Sequence, residues 1–104
     1  MKEIKIDNHI FEQLIAGKPQ PVEADGISFC LAKRGDEVFA FQRKCPHAGA
    51  DLSEGFMDAL GNVVCPLHQY KFSVINGRNI SGEGYFLKRY KVEKRAEALY
   101  ILIP

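Results

Sequence analysis

The sequence has no apolar run approaching the roughly 20 residues that a membrane-spanning helix requires. Its first ten residues interleave Lys2, Glu3, Lys5 and Asp7 with isoleucines, so they lack the continuous apolar stretch of a signal peptide. A soluble, cytoplasmic protein without a membrane partner is expected. There is no block of one charge sign either, and the formal net charge is only +1. The basic stripe that dominates nucleic-acid binding is missing, which excludes nucleic acid as a partner. No internal repeat of supersecondary size is present. Cysteine is scarce: there are three, an odd number. Cys45 and Cys65 each sit close to a histidine, a pattern that suggests metal binding more than a secreted disulfide framework. Cys30 is left over.

What is present fits a globular chain, with 46% hydrophobic and 26% charged residues. At 104 residues the length suits one domain spanning 1–104, with one hydrophobic core. Lys2 to Ile6 alternates charged and apolar residues as a half-buried strand does, and Asp7 or Asn8 is placed to cap one or two helical turns through Ile10, Phe11, Leu14 and Ile15. Gly17 and Pro19 would end them. Ile27, Phe29 and Leu31 share one face of a strand, with Cys30 on the other. Arg34-Gly35-Asp36-Glu37 then turns into a second strand, Val38 to Arg43, leading directly to Cys45. Leu60-Gly61-Asn62 reads as a turn, and Asn76-Gly77 as the strongest two-residue hairpin signal. Strands are expected at Leu87 to Glu93 and Ala98 to Ile103. The fold class is therefore all-β, an antiparallel sandwich or small barrel with little helix.

Two segments echo each other. Cys45-Pro46-His47 and Cys65-Pro66-Leu67-His68 both begin with Cys-Pro and end in histidine. Thiolate is a strong soft ligand for iron or zinc, imidazole a borderline one, and four such groups in two tight pairs complete a metal site. Proline after each cysteine fixes φ and removes a backbone donor, stiffening the loop. Two such loops facing each other can enclose one centre.

Cys-x-His, a gap of 17 residues and then Cys-x-x-His closely resembles the Rieske family. The segments Cys45 to Leu52 and Cys65 to Phe72 look like its two cluster-binding loops. The resemblance implies a Rieske-type sandwich, a [2Fe–2S] cofactor, an inner iron held by Cys45 and Cys65, and an outer iron held by His47 and His68. It also implies a one-electron carrier with no catalytic residues of its own, a ferredoxin passing electrons from a flavin reductase to a terminal oxygenase. A related role is the small subunit of assimilatory nitrite reductase. High-potential members carry an extra cysteine in each loop, joined as a disulfide, at positions that are Ala50 and Leu67 here. They also place hydroxyl donors where this chain has Tyr70 and Phe72. Both departures imply the low end of the roughly −150 to +300 mV Rieske range. Ser81 to Phe86 departs as well, where relatives carry a proline-bearing loop.

The alternative for the four ligands is a zinc-stabilised interaction module, although zinc sites usually group cysteine with cysteine. Cys30 reads as a small buried hydrophobe. His9 reads as a surface or capping residue. Phe39, Phe41, Phe56, Tyr70 and Phe72 are expected to form core beside the site. Lys44, Lys71, Lys88 and Arg89 could form a basic docking rim, with Asp51, Glu54 and Asp58 as acidic counterparts.

Overall fold

The computed structural model describes every residue except Met1, Ala48, His68, Ser81, Gly82, Glu83 and Glu97. The chain runs β1 (Lys2–Asp7), α1 (Asn8–Gln13), β2 (Gln20–Ala24), β3 (Ile27–Arg34) and β4 (Glu37–Gln42), then a 3-10 turn over Leu52–Glu54. It continues with β5 (Phe56–Met57), β6 (Asn62–Val64), β7 (Lys71–Ser73), β8 (Arg89–Arg95) and β9 (Ala98–Ile103). All pairings are antiparallel. Six strands form one sheet in the order β1-β9-β8-β4-β3-β2, and β5-β6-β7 form a second.

Ile4 and Ile6 on β1 share a buried cluster with Phe29 and Leu31 on β3, although three strands separate β1 from β3 in the sheet order. The large sheet must therefore curl to close over this cluster. Alternation along β3 sends Cys30 and Ala32 to the opposite face, where they join Phe41, Leu52, Val63, Phe72 and Val74 in a second cluster. The continuous apolar run Phe29-Cys30-Leu31-Ala32 is thus a strand buried on both faces. Through β3 and β4 the large sheet carries the small one on its back.

Several sequence expectations shift. The helix stops at Gln13, and Leu14 is already extended and buried while Ile15 is exposed. Asp7 holds the N-cap position without a side-chain bond, contrary to the expected cap. Strand β2 was not anticipated because Pro21 lies within it; an edge position, hydrogen-bonded on one side to β3, tolerates that proline. Asn76-Gly77 does not form a two-residue turn. Ser73 N–H donates to the Arg78 carbonyl (2.9 Å) and Gly77 N–H to the Ser73 carbonyl (2.7 Å), which closes a four-residue loop. The last hairpin's first strand begins at Arg89 rather than Leu87, because the Leu87 N–H is taken by the Gly77 carbonyl at 2.8 Å.

A tight two-residue turn does lie at Asp25-Gly26, where φ is 53° and 77°. Positive φ at both positions is the requirement of a type I′ hairpin, which Asp-Gly satisfies. Nothing lies within 4 Å of a methyl group placed on Gly26, so substitution there reads backbone strain alone. Gly26→Ala is expected to lower stability by about 1 kcal/mol, the left-handed penalty less the reduced freedom of the unfolded chain. Urea unfolding monitored by far-ultraviolet circular dichroism measures it, and an unchanged midpoint would contradict the turn assignment.

Candidate metal centre

Two loops of one design project from the region where the sheets meet. The first leaves β4 and is closed at its neck by the antiparallel bridge Lys44 to Asp51. Within it the Cys45 N–H donates to the Ala50 carbonyl (2.7 Å) and the Gly49 N–H returns to the Cys45 carbonyl (2.8 Å). The second joins β6 to β7 and is closed by the pair Val64 to Lys71. There the Cys65 N–H donates to the Tyr70 carbonyl (2.8 Å) and the Gln69 N–H to the Cys65 carbonyl (2.9 Å). Position for position the hydrogen bonds coincide.

The backbone conformation coincides too. Gly49 has φ 71° and its counterpart Gln69 has φ 57°. The first loop meets this left-handed requirement with the residue that bears it at least cost, whereas the second imposes it on a glutamine. The histidines are not equivalent. Counted from the cysteine, His47 is the third residue of its segment and His68 the fourth. His68 lies outside the described residues.

Cys45 and Cys65 belong to one buried cluster and are 2% and 0% exposed. His47 is half-buried at its rim. The His47 ring lies 4.0 Å, centroid to centroid, from the Tyr70 ring at an interplanar angle of 32°, and 5.3 Å from Tyr85 at 75°. An imidazole of the first loop thus packs on an aromatic ring of the second. Two buried thiols and a half-buried imidazole are the donor types of a centre with one sulfur-rich and one nitrogen-rich metal, although no three such groups converge among the described residues.

Around the first neck, Arg43 grips Asp51 through two charge-assisted bonds, Nε to Oδ1 at 3.0 Å and Nη2 to Oδ2 at 2.9 Å. Ser53 donates its N–H (2.9 Å) and its hydroxyl (2.6 Å) to the same Oδ1. The Arg43 guanidinium, aided by Ser53, holds the Asp51 carboxyl well below the usual carboxylate range. Gln42 is a second clamp that sequence reasoning missed. Its Nε2 donates to the Lys44 carbonyl, and its Oε1 accepts the Lys88 N–H at 2.6 Å, tying the start of the first loop to the segment behind Tyr85.

Asp51 and Asp58, expected as acidic counterparts of a docking rim, are engaged within the protein. Asp58 Oδ1 accepts the N–H groups of Leu60 and Asn62, and its Oδ2 lies 4.0 Å from Lys71 Nζ. Phe41 and Phe72 are core as expected, but Phe56 is 54% exposed. His9 is exposed and pairs with Gln13 one helical turn on, as a surface histidine does. Cys30 is fully buried, and burial, with the Asp51 charge secondary, pushes its thiol up to about 12.

The profile of the Rieske [2Fe-2S] domain family matches residues 9–85. The chain belongs to the Rieske family. Its cofactor is accordingly a Rieske-type [2Fe–2S] cluster and its role that of a one-electron carrier, which displaces the zinc-module alternative. A ferredoxin component of a naphthalene 1,2-dioxygenase system from Pseudomonas aeruginosa is 32% identical over 78 residues, covering 75% of this chain and 74% of that protein. Among solved structures, the ferredoxin of carbazole 1,9a-dioxygenase from Nocardioides aromaticivorans IC177 has a TM-score of 0.80 at 25% identity, covering 97% of each chain. A chain in a complex of reduced oxygenase and oxidised ferredoxin, also of carbazole 1,9a-dioxygenase, has a TM-score of 0.77 at 27% identity, covering 86% of this Rieske chain and 93% of that one.

The Asp51 geometry sets a pH dependence. A carboxyl whose folded pKa lies below its unfolded value of about 3.9 contributes stability that is fully present above that value and is lost as pH falls toward the folded one. Asp51→Asn should therefore lower the urea midpoint at pH 7, and its gap to wild type should narrow as pH falls below about 4. A gap independent of pH would show that the charge of Asp51 does not contribute.

Proposed function

We propose that Cys45 and Cys65 hold one iron of the Rieske cluster and His47 and His68 the other, and that residues 1–104 form one domain acting as a soluble ferredoxin between a flavin reductase and a terminal oxygenase. The observation that carries this reading is the pair of matching loops, which sets both cysteines in one buried cluster and His47 at its edge. The bound cluster supplies one reversibly stored electron, at a potential raised above all-cysteine ferredoxins because imidazole replaces thiolate on one iron.

The protein's own part is to hold donors, exclude water and offer a path. Phe41, Val63 and Phe72, all fully buried, pack around the cysteines and lower the local polarity. The neck hydrogen bonds keep the loops in place, so little must reorganise when charge changes. Leu67 at the tip of the second loop is 57% exposed and Tyr85 beside His47 is 43% exposed. Apolar surface at the imidazole end suits a brief encounter with a partner, and the ferredoxin–oxygenase complex among the structural relatives supports an oxygenase in that role. Cytoplasmic residence is part of the same reading.

Electron paramagnetic resonance of the dithionite-reduced protein, with iron and sulfide quantified, tests the ligand assignment. Cys65→Ser and His68→Ala should abolish the native visible spectrum, whereas Cys30→Ala should keep it, because that thiol sits in the core without a ligand role. A native spectrum in Cys65→Ser would refute the assignment.

The carrier role is tested by stopped-flow reduction of an oxygenase component. Leu67→Glu should slow transfer by about tenfold, the cost of losing one central apolar contact, with an unchanged visible spectrum. Undiminished transfer would move docking elsewhere, and transfer only to a nitrite reductase would assign the small-subunit role.

A further inference from the structure

The two loops are not joined covalently, since Ala50 and Leu67 carry no sulfur. One contact that crosses between them is aromatic. Tyr70 is fixed to its own loop through its carbonyl, which accepts the Cys65 N–H at 2.8 Å. Its ring packs against the buried cluster that contains both cysteines and reaches the imidazole of the other loop at 4.0 Å, tilted by 32°. One residue thus has its backbone bonded to a cysteine of the second loop and its side chain against a histidine of the first. Tyr85 adds an edge contact from a third segment.

We infer that Tyr70 is a positioning residue that clasps the two loops together by packing its ring on His47, fixing the orientation of that imidazole toward the iron it would bind; this rests on the ligand assignment proposed above. Two consequences follow from the physics of the contact. An aromatic face is electron-rich, so it favours a neighbouring ring that carries more positive charge. An imidazole bound to iron carries more positive charge when the centre is oxidised. The Tyr70 face therefore favours the oxidised protein and holds the potential down. The contact also resists the separation of the loops that must precede loss of the cluster. Both effects belong to the ring and not to the phenol hydroxyl.

Tyr70→Phe and Tyr70→Leu separate these contributions. Wild-type protein, first shown to contain iron and sulfide, is compared with both variants for cluster lifetime under excess chelator, midpoint potential, and g-values of the reduced form. Tyr70→Phe should match wild type. Tyr70→Leu should lose its cluster roughly three- to tenfold faster, the factor corresponding to an aromatic pair, with a more positive potential and altered g-values. A cluster retained by Tyr70→Phe and absent from a folded Tyr70→Leu also supports the clasp. Tyr70→Leu indistinguishable from wild type, or Tyr70→Phe as impaired as Tyr70→Leu, overturns it. Wild type that takes up no cluster overturns the ligand assignment itself, which distinguishes that failure from failure of the clasp.

Discussion

The structure depends on closure of the two loop necks by main-chain hydrogen bonds. In each loop the cysteine N–H and carbonyl are both engaged with residues four and five positions on. This satisfies backbone groups that burial would otherwise leave at a cost of about 1–3 kcal/mol each. It also fixes the backbone from which each cysteine side chain leaves. With the bonding the same twice, both cysteines lie in one buried cluster, and His47 of the first loop packs on Tyr70 of the second. The proposed ligand set would thus rest on two copies of one hairpin loop rather than on an irregular site.

Such loops need a rigid base, which comes from strands that serve two cores. β3 and β4 put Phe29, Leu31 and Ala40 into the closed interior of the large sheet, and Cys30, Ala32 and Phe41 into the layer beneath the loops. Displacing the site would require moving residues that the other core holds. The burial that makes Cys30 a poor nucleophile is part of this arrangement; Cys45 and Cys65, just as buried in the same cluster, differ from it in lying on the two loops rather than within a strand.

Polar groups refine what the backbone establishes. Arg43 and Asp51 face each other across the first neck, where the Asp51 carboxylate also receives both donors of Ser53 at the start of the 3-10 turn. Gln42 joins Lys44 to Lys88, so the segment bearing Tyr85 and the loop bearing His47 share an attachment. His47 itself packs on Tyr70 and Tyr85, so three parts of the chain meet there. A side chain held by its neighbours changes position little when the charge beside it changes, as electron transfer requires.

Short-range patterns in the sequence were sufficient for the family, the all-β class, the spacing of the candidate ligands, the Gly35-Asp36 turn and the placement of Cys30 opposite Phe29 and Leu31. Each is decided within a few residues by alternation, turn chemistry or ligand spacing. The edge strand β2 and the Asp25-Gly26 turn were also written locally, but Pro21 obscured them. The curl of the large sheet, the packing of Tyr70 on His47, the Gln42 clamp and the inward engagement of Asp51 and Asp58 were decided by tertiary structure alone. Contacts between positions 47 and 70 or 42 and 88 exist only once strand order and register have brought distant segments together, and no local period or propensity encodes them.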